Sequence, residues 1–232
     1  MTRVAALYDI HGNLPALEAV LAEAAGDADA IVIGGDFSRG PMPVETVDRL
    51  RGLGERARFI RGNAERPAAG EGAWEMGLLG EERLSFIAGL PETVTIDVEG
   101  LGAVLFCHGS PRGDEDIVTA VTPPDRLERI LAGVSEPVVV CGHTHHQFEL
   151  RSRATRIVNA GSVGMPYEGR PGAFWAMLGP DVEHRTTAYD LDVAAAAIRA
   201  SGFPDADELV DMLRSPESPE EVAPHFESLA KP

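Results

Sequence analysis

Short apolar runs of strand length recur along the first part of the chain, and segments with helical spacing lie between them. The runs are Val4–Tyr8, Ala30–Ile33, Ala57–Ile60, Ala103–Phe106 and Pro137–Val140. Their residues are almost all apolar, which is typical of strands buried on both faces. Apolar residues three or four positions apart predict helices at Leu14–Glu23 and Val44–Leu53. This alternation of strand and helix predicts an α/β fold.

The same two patterns continue through the second half of the chain. They predict strands at Thr93–Val98, Phe148–Arg151, Thr155–Val158, Ala173–Leu178 and Val182–Ala188, and helices at Glu81–Leu90, Pro124–Ala132, Val193–Ala200 and Asp205–Leu213. Residues 66–80 are rich in glycine and form a candidate lid, in which packing explains Trp74 more readily than stacking on a substrate. The Pro-, Glu- and Ser-rich segment Ser215–Pro232 predicts a poorly ordered tail or an arm on a neighbour.

Polar side chains that can bind metal follow five of the apolar runs directly. They are Asp9 and His11, then Asp36, Asn63 and His108, and finally His143 and His145 in the stretch CGHTHH. In open α/β folds, side chains at the carboxyl ends of strands converge on one edge of a sheet, where sites form. Two histidines two residues apart also point to the same side of an extended backbone. His146 then points the other way, so we expect it outside the ligand set.

Seven donors exceed the needs of one tetrahedral metal site. Two are carboxylates, one is an amide and four are imidazoles. This mixture of oxygen and nitrogen favours two divalent transition-metal ions, Mn, Fe, Zn, Co or Ni, over the all-oxygen cages of calcium and magnesium. Two metals about 3.5 to 4 Å apart need a shared anionic ligand, and an aspartate at a tight turn is suited to that position. Asp36, which follows two glycines, is the expected bridge.

Composition restricts the class of protein and its partners. The 232 residues are 44% hydrophobic and 25% charged, which predicts one globular domain over residues 1–232. The formal net charge of -17 argues against non-specific nucleic-acid binding and leaves bound metal as the source of positive charge for an anionic substrate. Cys107 and Cys141 are expected to be buried thiols. No run is long enough for a membrane span or a signal peptide, so we expect a cytoplasmic protein with no membrane partner.

As a set, these blocks resemble the calcineurin-like metallophosphoesterases. The blocks are DIH at Asp9, GGD at Asp36, GN at Asn63, CHG at His108 and GHTH at His143, in the order of the family, with NAGS at Asn159 resembling the turn after its site. The resemblance implies a four-layer α/β/β/α sandwich with two mixed sheets flanked by helices. It also implies that one metal is held by Asp9, His11, Asp36 and His145, and the other by Asp36, Asn63, His108 and His143.

Three further stretches, YDIHGN, PVETVDRL and GSVGMP, look most similar to the small prokaryotic phosphodiesterase branch, which is loosely labelled by its likeness to diadenosine tetraphosphatases. Many family members carry a histidine after the GN asparagine, where it acts as a general acid, whereas this chain has Ala64. The loop after Asp36 is also shorter than the DRG loop of protein serine/threonine phosphatases. Both departures argue against a phosphoprotein phosphatase. Asn13, Arg39 and Arg112 are the expected contacts with the substrate phosphate.

The implied activity is hydrolysis of a phosphodiester by a hydroxide that bridges the two metals, with the seven ligands as catalytic residues. The substrate would be a small phosphate ester or a nucleotide: cyclic nucleotides, dinucleotides, nucleic-acid ends and phospholipid head groups all fit. Phosphomonoester or nucleotide pyrophosphate hydrolysis on the same site is an alternative, as is a non-catalytic partner-binding scaffold. A β-lactamase-like metallohydrolase is disfavoured because Gln147 and Phe148 follow His146. A homo-oligomer is a further possibility.

Overall fold

Ten strands form two five-stranded sheets in a computed structural model that describes residues 2–66 and 72–231. The first sheet consists of β1 (Val4–Leu7), β2 (Ala30–Ile33), β3 (Ala57–Phe59), β9 (Ala173–Leu178) and β10 (Val182–Thr187). The second sheet consists of β4 (Thr93–Val98), β5 (Gly102–Cys107), β6 (Val138–Cys141), β7 (Phe148–Ser152) and β8 (Thr155–Asn159). These bounds match the predicted strands to within a residue or two.

Each sheet is mixed. The first has the order β10-β9-β1-β2-β3, in which β1, β2 and β3 are parallel while β9 runs antiparallel to both of its neighbours. The second has the order β4-β5-β6-β8-β7, in which β5, β6 and β8 are parallel and the two edge strands are antiparallel. The strands that precede the predicted donors therefore belong to two sheets rather than to the single sheet edge that the sequence suggested.

Seven α-helices in the described part of the chain connect and cover the sheets. They are α1 (Leu14–Ala24), α2 (Pro43–Arg51), α3 (Ala73–Ala88), α4 (Pro124–Ile130), α5 (Leu191–Ala200), α6 (Ala206–Arg214) and α7 (Pro219–Leu229). The first six overlap the helices predicted from periodicity. Of these six, α3 begins well before the predicted start at Glu81, and α7 was not predicted.

Alternate residues of the buried strands face different layers, because successive side chains of a strand point to opposite faces of the sheet. In β1, Val4 and Ala6 pack between the two sheets, while Ala5 and Leu7 pack against α1 and α2. The residues of β6 divide in the same way between the inter-sheet core and α4. The layers therefore run helix, sheet, sheet, helix, and the predicted four-layer sandwich is confirmed.

Part of the candidate lid at residues 66–80 is helical. Helix α3 begins at Ala73 and is kinked at Gly80, where φ of 70° and ψ of 164° lie outside the helical range. Leu79 and Ile87 of this helix are buried in the core beside the first sheet. Residues 73–80 of the candidate lid are therefore part of a helix, and residues 67–71 of the candidate lid lie outside the described residues.

The C-terminal segment packs on its own chain, so the prediction of a poorly ordered tail is wrong, whereas contact with a neighbour stays a prediction. Helix α7 begins with a capping box between Ser218 and Glu221, and its residue Val222 is buried. Arg126 of α4 forms a two-pronged ion pair with Glu227 of α7, with Nη2 at 2.7 Å from each carboxylate oxygen. Composition alone missed this helix because proline, glutamate and serine outnumber the few apolar residues that anchor it.

We expect Glu227→Ala to lower the free energy of unfolding by about 2 to 4 kcal/mol, because it leaves the guanidinium of Arg126 buried without its carboxylate. The side chains of this pair are only 8% and 18% exposed. The matched control is Glu128→Ala, which breaks the pair between Glu128 and Arg153, whose side chains are 46% and 80% exposed. That change should cost less than about 1 kcal/mol. Urea denaturation of both variants measures the difference, and equal small costs would contradict an anchoring role for Glu227.

None of the helices in the described residues is long and apolar enough to cross a bilayer. The cytoplasmic location, the single domain and the oligomeric state stay predictions. Cys107 and Cys141 are buried free thiols, as expected.

Candidate metal centre

The predicted donors gather where the loops that follow β1, β2, β3, β5 and β6 meet. Six of them form two clusters, within each of which the ligand atoms lie within 4.8 Å of one another: Asp9, His11 and His145 in the first cluster, and Asp36, His108 and His143 in the second. The side-chain oxygen of Asn63 lies 3.0 Å from His108 Nε2. The fold therefore brings all seven predicted donors together.

Asp36 lies between the two clusters. Its Oδ1 is 3.4 Å from His108 Nε2 in the second cluster, and its Oδ2 is 3.9 Å from His11 Nε2 in the first. Asp9 also approaches both clusters, since its Oδ1 is 3.3 Å from His145 Nε2 and 3.9 Å from His108 Nε2. The two clusters are therefore one continuous site with two carboxylates at its centre.

The backbone is left-handed at five of the six clustered residues. Their φ angles lie between 45° and 69°, at Asp9, His11, Asp36, His143 and His145. Arg153 is the one other non-glycine residue in the described ranges with a positive φ. This conformation costs free energy for residues that carry a Cβ, and such strain concentrates at functional sites. The strained backbone residues of this chain are therefore concentrated at the converging donors.

The left-handed turn also changes how the GHTHH loop presents its histidines. Strand β6 ends at Cys141, and His143 and His145 have φ of 69° and 58° rather than extended values. Their rings join different clusters, so the prediction that both point to one side of an extended strand is wrong. Thr144 between them is buried, and its hydroxyl donates to the carbonyl of Val118 at 3.0 Å, which fixes the turn.

Two of the histidines are oriented by backbone carbonyls. His108 Nδ1 lies 2.9 Å from the carbonyl oxygen of Gly34, and His145 Nδ1 lies 2.7 Å from that of Met165. Because a carbonyl oxygen only accepts, Nδ1 is the donor in both rings, and the Nε2 atom of each ring faces the clusters. Metal-binding histidines show this arrangement, in which the second nitrogen donates to a fixed acceptor.

The carboxylates and the imidazoles of the site shift each other's pKa values, and the histidines do not all shift in the same direction. Burial opposes ionisation of Asp36, but the neighbouring His108 outweighs burial and holds the pKa of Asp36 below its usual range. Burial likewise opposes charge on His108, but Asp36 outweighs it and raises the pKa of His108 to about 10. Burial lowers the pKa of His11 and of His143 to about 4. The negative potential that favours a proton on His108 also favours a metal cation in its place.

One buried carboxylate oxygen at the centre of the site lacks a hydrogen-bond donor. Asp9 Oδ2 accepts the backbone N–H of His143 at 2.9 Å, whereas Asp9 Oδ1 accepts no hydrogen bond from the described residues. The Nε2 atoms of His11 and His145 also face each other at 3.2 Å. A buried charged oxygen is costly unless a cation or water satisfies it. These carboxylate oxygens and imidazole nitrogens fit a divalent transition-metal ion.

Two glycines let the loops approach the carboxylates closely. A Cβ on Gly62 would lie 2.2 Å from Asp36 Oδ1, and a Cβ on Gly142 would lie 2.5 Å from Asp9 Oδ2. Any side chain at either position would displace a carboxylate. The close approach of the backbone to Asp36 and Asp9 therefore explains why Gly62 and Gly142 are glycines.

Glu65 ties the loop after β2 to the loop after β3, a role that the sequence analysis missed. Its carboxylate is buried and accepts hydrogen bonds at 2.7 to 3.0 Å from the Ser38 hydroxyl and from four backbone N–H groups, those of Asp36, Phe37, Ser38 and Gly62. Burial and the neighbouring Asp36 raise the pKa of Glu65. The one available signal was an acidic residue two positions after the donor asparagine.

The match to a known family covers every residue of the two clusters. A model described as the calcineurin-like phosphoesterase superfamily domain matches residues 2–179. The chain belongs to this superfamily. The resemblance inferred from the five motif blocks is therefore confirmed for this superfamily of hydrolases, whereas the likeness to diadenosine tetraphosphatases stays a prediction.

Three similar proteins extend this comparison. A crystal structure of a metallophosphoesterase from Sphaerobacter thermophilus is 28% identical, with a TM-score of 0.74 over 91% of this chain and 98% of that chain. The structure of a hypothetical protein from Pyrococcus horikoshii OT3 has a TM-score of 0.79 at 21% identity, over 94% of this chain and 100% of that chain, and shares the fold. An uncharacterized protein of Methanocaldococcus jannaschii is 24% identical over 235 residues, which cover 87% of this chain and 94% of that protein.

Asn13 caps helix α1, a role that the sequence analysis did not predict, and its contact with substrate stays a prediction. Its side-chain oxygen accepts the N–H of Ala16 at 3.3 Å in the first turn of α1. Its amide nitrogen donates to the carbonyl of Gly164 at 3.1 Å and to the hydroxyl of Tyr189 at 3.3 Å. The side chain is fully buried. Both the oxygen and the nitrogen of the Asn13 amide therefore form hydrogen bonds within the chain.

The two predicted arginine contacts lie in different places. Arg112 pairs with Asp116 at 3.3 Å and lines a separate surface cavity beside Leu229, and its contact with phosphate stays a prediction. The carboxylate of Asp116 follows Arg112 by four residues in the loop after β5 and holds it there. Arg39, in contrast, lines the same cavity as His11.

His146 lies outside both clusters, as expected. It is buried, its Nδ1 lies 2.8 Å from the carbonyl oxygen of Thr144, and its ring packs 5.1 Å from that of Phe148. Because a carbonyl only accepts, Nδ1 is the donor, and the ring supports the turn that carries His145.

We expect His146→Ala to leave the number of bound metal ions unchanged. The His146 ring contacts Phe148 and the Thr144 carbonyl and belongs to neither cluster of ligand atoms. The variant should lose about 1 to 3 kcal/mol of stability from the buried ring and its hydrogen bond. The comparison variant is His145→Ala, which removes a clustered nitrogen and should lower metal content. Elemental analysis of both variants after incubation with Mn²⁺ measures the number of metal ions bound per chain. A metal lost from His146→Ala would overturn the structural role.

Proposed function

We propose that the chain is a phosphodiesterase that uses two divalent transition-metal ions. One ion would be held by Asp9, His11, Asp36 and His145, and the other by Asp36, Asn63, His108 and His143. Mn, Fe, Zn, Co and Ni all suit this mixture of oxygen and nitrogen donors. The substrate would be a small phosphate ester or a nucleotide.

The observation that carries this proposal is the position of Asp36 between the clusters. It presents one oxygen 3.4 Å from His108 and the other 3.9 Å from His11. A carboxylate that offers one oxygen to each of two imidazole clusters is suited to bridge two cations. The superfamily of the chain and its 28% identity to a metallophosphoesterase support phosphate-ester hydrolysis as the class of reaction.

The other residues of the site orient these donors and hold their protons in place. The backbone N–H of Ala64 donates to Asp36 Oδ1 at 2.8 Å, which fixes the carboxylate plane. His108 and His145 keep their Nδ1 protons on backbone carbonyls, so that each ring offers Nε2 to the site. Two divalent ions, when bound, supply hydroxide from water near neutral pH and neutralise charge on the phosphate oxygens. Arg39, in the cavity beside His11, would contact a phosphate oxygen.

The side chain at position 64 supports a preference for esters with good leaving groups. Ala64 is 7% exposed and has only a methyl group at the position where the family resemblance implies a general acid. A positioned general acid contributes about 10²- to 10⁴-fold to a rate, and that contribution is largest when the departing oxygen is strongly basic. Departure of an aryl oxide or a phosphate needs no such help, whereas departure of a simple alkoxide does.

We therefore expect the hydrolysis rate to fall steeply as the pKa of the leaving group rises. The measurement is the rate with saturating metal for a series of aryl phosphodiesters that share one non-leaving group and differ only in ring substituents. A slope close to zero, with chemistry limiting turnover, would mean that another residue donates the proton.

His146→Ala serves as the control in the same series, because His146 is the neighbouring histidine that could replace the missing acid. Its ring is buried against Phe148 and outside both clusters, so the variant should show the same slope as the parent chain. A slope that steepens only in this variant would assign the proton to His146.

A further inference from the structure

A cavity of ≈ 860 Å³ opens beside the first cluster. Its inner end is formed by His11 and Arg39, and its walls come from the start of α3, the start of α6 and residues 165–167. This volume lies within the range of small-molecule sites, which is about 300 to 1,000 Å³. The cavity is therefore large enough for a substituent of a phosphate ester whose phosphorus lies at the clusters.

Aromatic side chains form two walls of this cavity. Trp74 and Phe203 meet edge to face with ring centroids 5.6 Å apart, and both are half-buried. Tyr167 stacks on His145 of the first cluster, with centroids 5.4 Å apart and ring planes inclined by 19°. Flat apolar surfaces of this kind favour a ring over an aliphatic chain of equal length, because they remove both faces of the ring from water.

The rim of the cavity is acidic. Asp205, Glu208 and Glu217 line it and are exposed, and none of the three forms an ion pair within the described ranges 2–66 and 72–231. Arg39, at the inner end, is the one arginine or lysine among the described lining residues. The exposed rim of the cavity therefore carries negative charge, where the far end of a ligand would lie.

We infer that the cavity binds a flat ring substituent that carries no negative charge beyond the reacting phosphate. A nucleoside with a single phosphate or an aryl phosphodiester has this chemistry. Polyphosphates such as dinucleoside tetraphosphates do not, because their remaining phosphates would lie near the rim carboxylates. The inference rests on the proposed function, since it assigns the second substituent of the ester to this cavity.

The first test measures ligand binding without turnover. The probes are methylphosphonate and benzylphosphonate, whose P–C bonds are not hydrolysed, titrated calorimetrically into the protein loaded with Mn²⁺. Benzylphosphonate should bind about 10-fold or more tightly, because the aromatic walls bury its ring. Phe203→Ala and Trp74→Leu should each remove most of that advantage. Both variants should leave the affinity for methylphosphonate unchanged, which shows that they fold and keep the metal site.

The second test examines the acidic rim. A carboxylate at the 4-position of benzylphosphonate should weaken binding about 3- to 10-fold at low salt, because it faces the rim carboxylates. Glu208→Gln should recover part of that loss. The matched control is Asp211→Asn, an exposed aspartate of the same helix α6 that does not line the cavity, and it should recover nothing.

The outcomes separate this inference from the proposed function. Equal affinity for the two simple phosphonates, or tighter binding of the carboxylated one, would overturn the ring site while leaving phosphodiester hydrolysis intact. Ring-selective binding without hydrolysis of any phosphodiester in the presence of Mn²⁺ would instead overturn the proposed function and leave the ring site standing.

Discussion

Replacing Asp36 with asparagine is expected to reduce phosphodiester hydrolysis by about 10³-fold or more, since it removes the negative charge that holds two cations together. The two oxygens of Asp36 face different clusters, at 3.4 Å from His108 and 3.9 Å from His11. Metal content should therefore fall at both positions. Asn63→Ala, which removes a neutral oxygen beside one cluster only, should cost less activity and at most one metal ion.

The control for this comparison is Asp97→Asn, which changes an exposed aspartate in β4 and should leave metal content and turnover unchanged. Elemental analysis and steady-state kinetics on the three variants measure the ranking directly. An Asp36→Asn protein that retains two metal ions and near-normal turnover would show that the bridging assignment is wrong.

Glu65→Gln should lower the free energy of unfolding by about 2 to 4 kcal/mol, because the amide keeps the volume of the side chain but replaces an acceptor with a donor. Glu65 accepts four backbone N–H groups, and the new NH₂ group would face some of them. The loop that carries Asp36 should then shift. Metal affinity should fall by about 10- to 100-fold, which is typical when a partner that orients a ligand is lost.

Glu81→Gln provides the matched control, because Glu81 is exposed on α3 and should tolerate the same chemical change. Urea denaturation measures stability, and calorimetric titration with Mn²⁺ measures metal affinity. If Glu65→Gln unfolds and binds metal like the control, the carboxylate does not set the position of Asp36.

Local sequence patterns predicted the strands well, because buried strands here are short apolar runs with polar residues on either side. They failed where the local pattern was weak. The start of α3 is rich in glycine and α7 is rich in proline and glutamate, so neither shows strong helical periodicity. Both helices depend on contacts far along the chain, such as the pair between Arg126 and Glu227. Such contacts cannot be read from neighbouring residues.

The donors of the site were predictable because each follows an apolar run, but their presentation was not. His143 and His145 were expected in extended backbone and instead adopt left-handed conformations that send them to different clusters. Periodicity describes regular structure, and these residues lie in turns held by tertiary hydrogen bonds. The hydrogen bonds of Asn13 and the ion pair of Arg112 were not predicted for a related reason, since their partners are set by the tertiary fold.

The acidic cavity was not anticipated because its residues come from separate parts of the chain. Trp74 lies far from Tyr167 and Phe203 in sequence, and the three line one cavity only because the fold brings their segments together. The tryptophan was interpreted as a packing residue. It does pack against Phe203, and the same contact forms one wall of the cavity.

Metal stoichiometry joined to hydrolysis tests the central claim most directly. Purified protein is freed of metal, titrated calorimetrically with Mn²⁺, and assayed at each point with bis(4-nitrophenyl) phosphate. Two ions per chain should bind, and hydrolysis should appear as the second position fills, because Asp36 lies between two clusters of donors. Binding of one ion or none, or two bound ions without hydrolysis of the diester, would contradict a dinuclear phosphodiesterase.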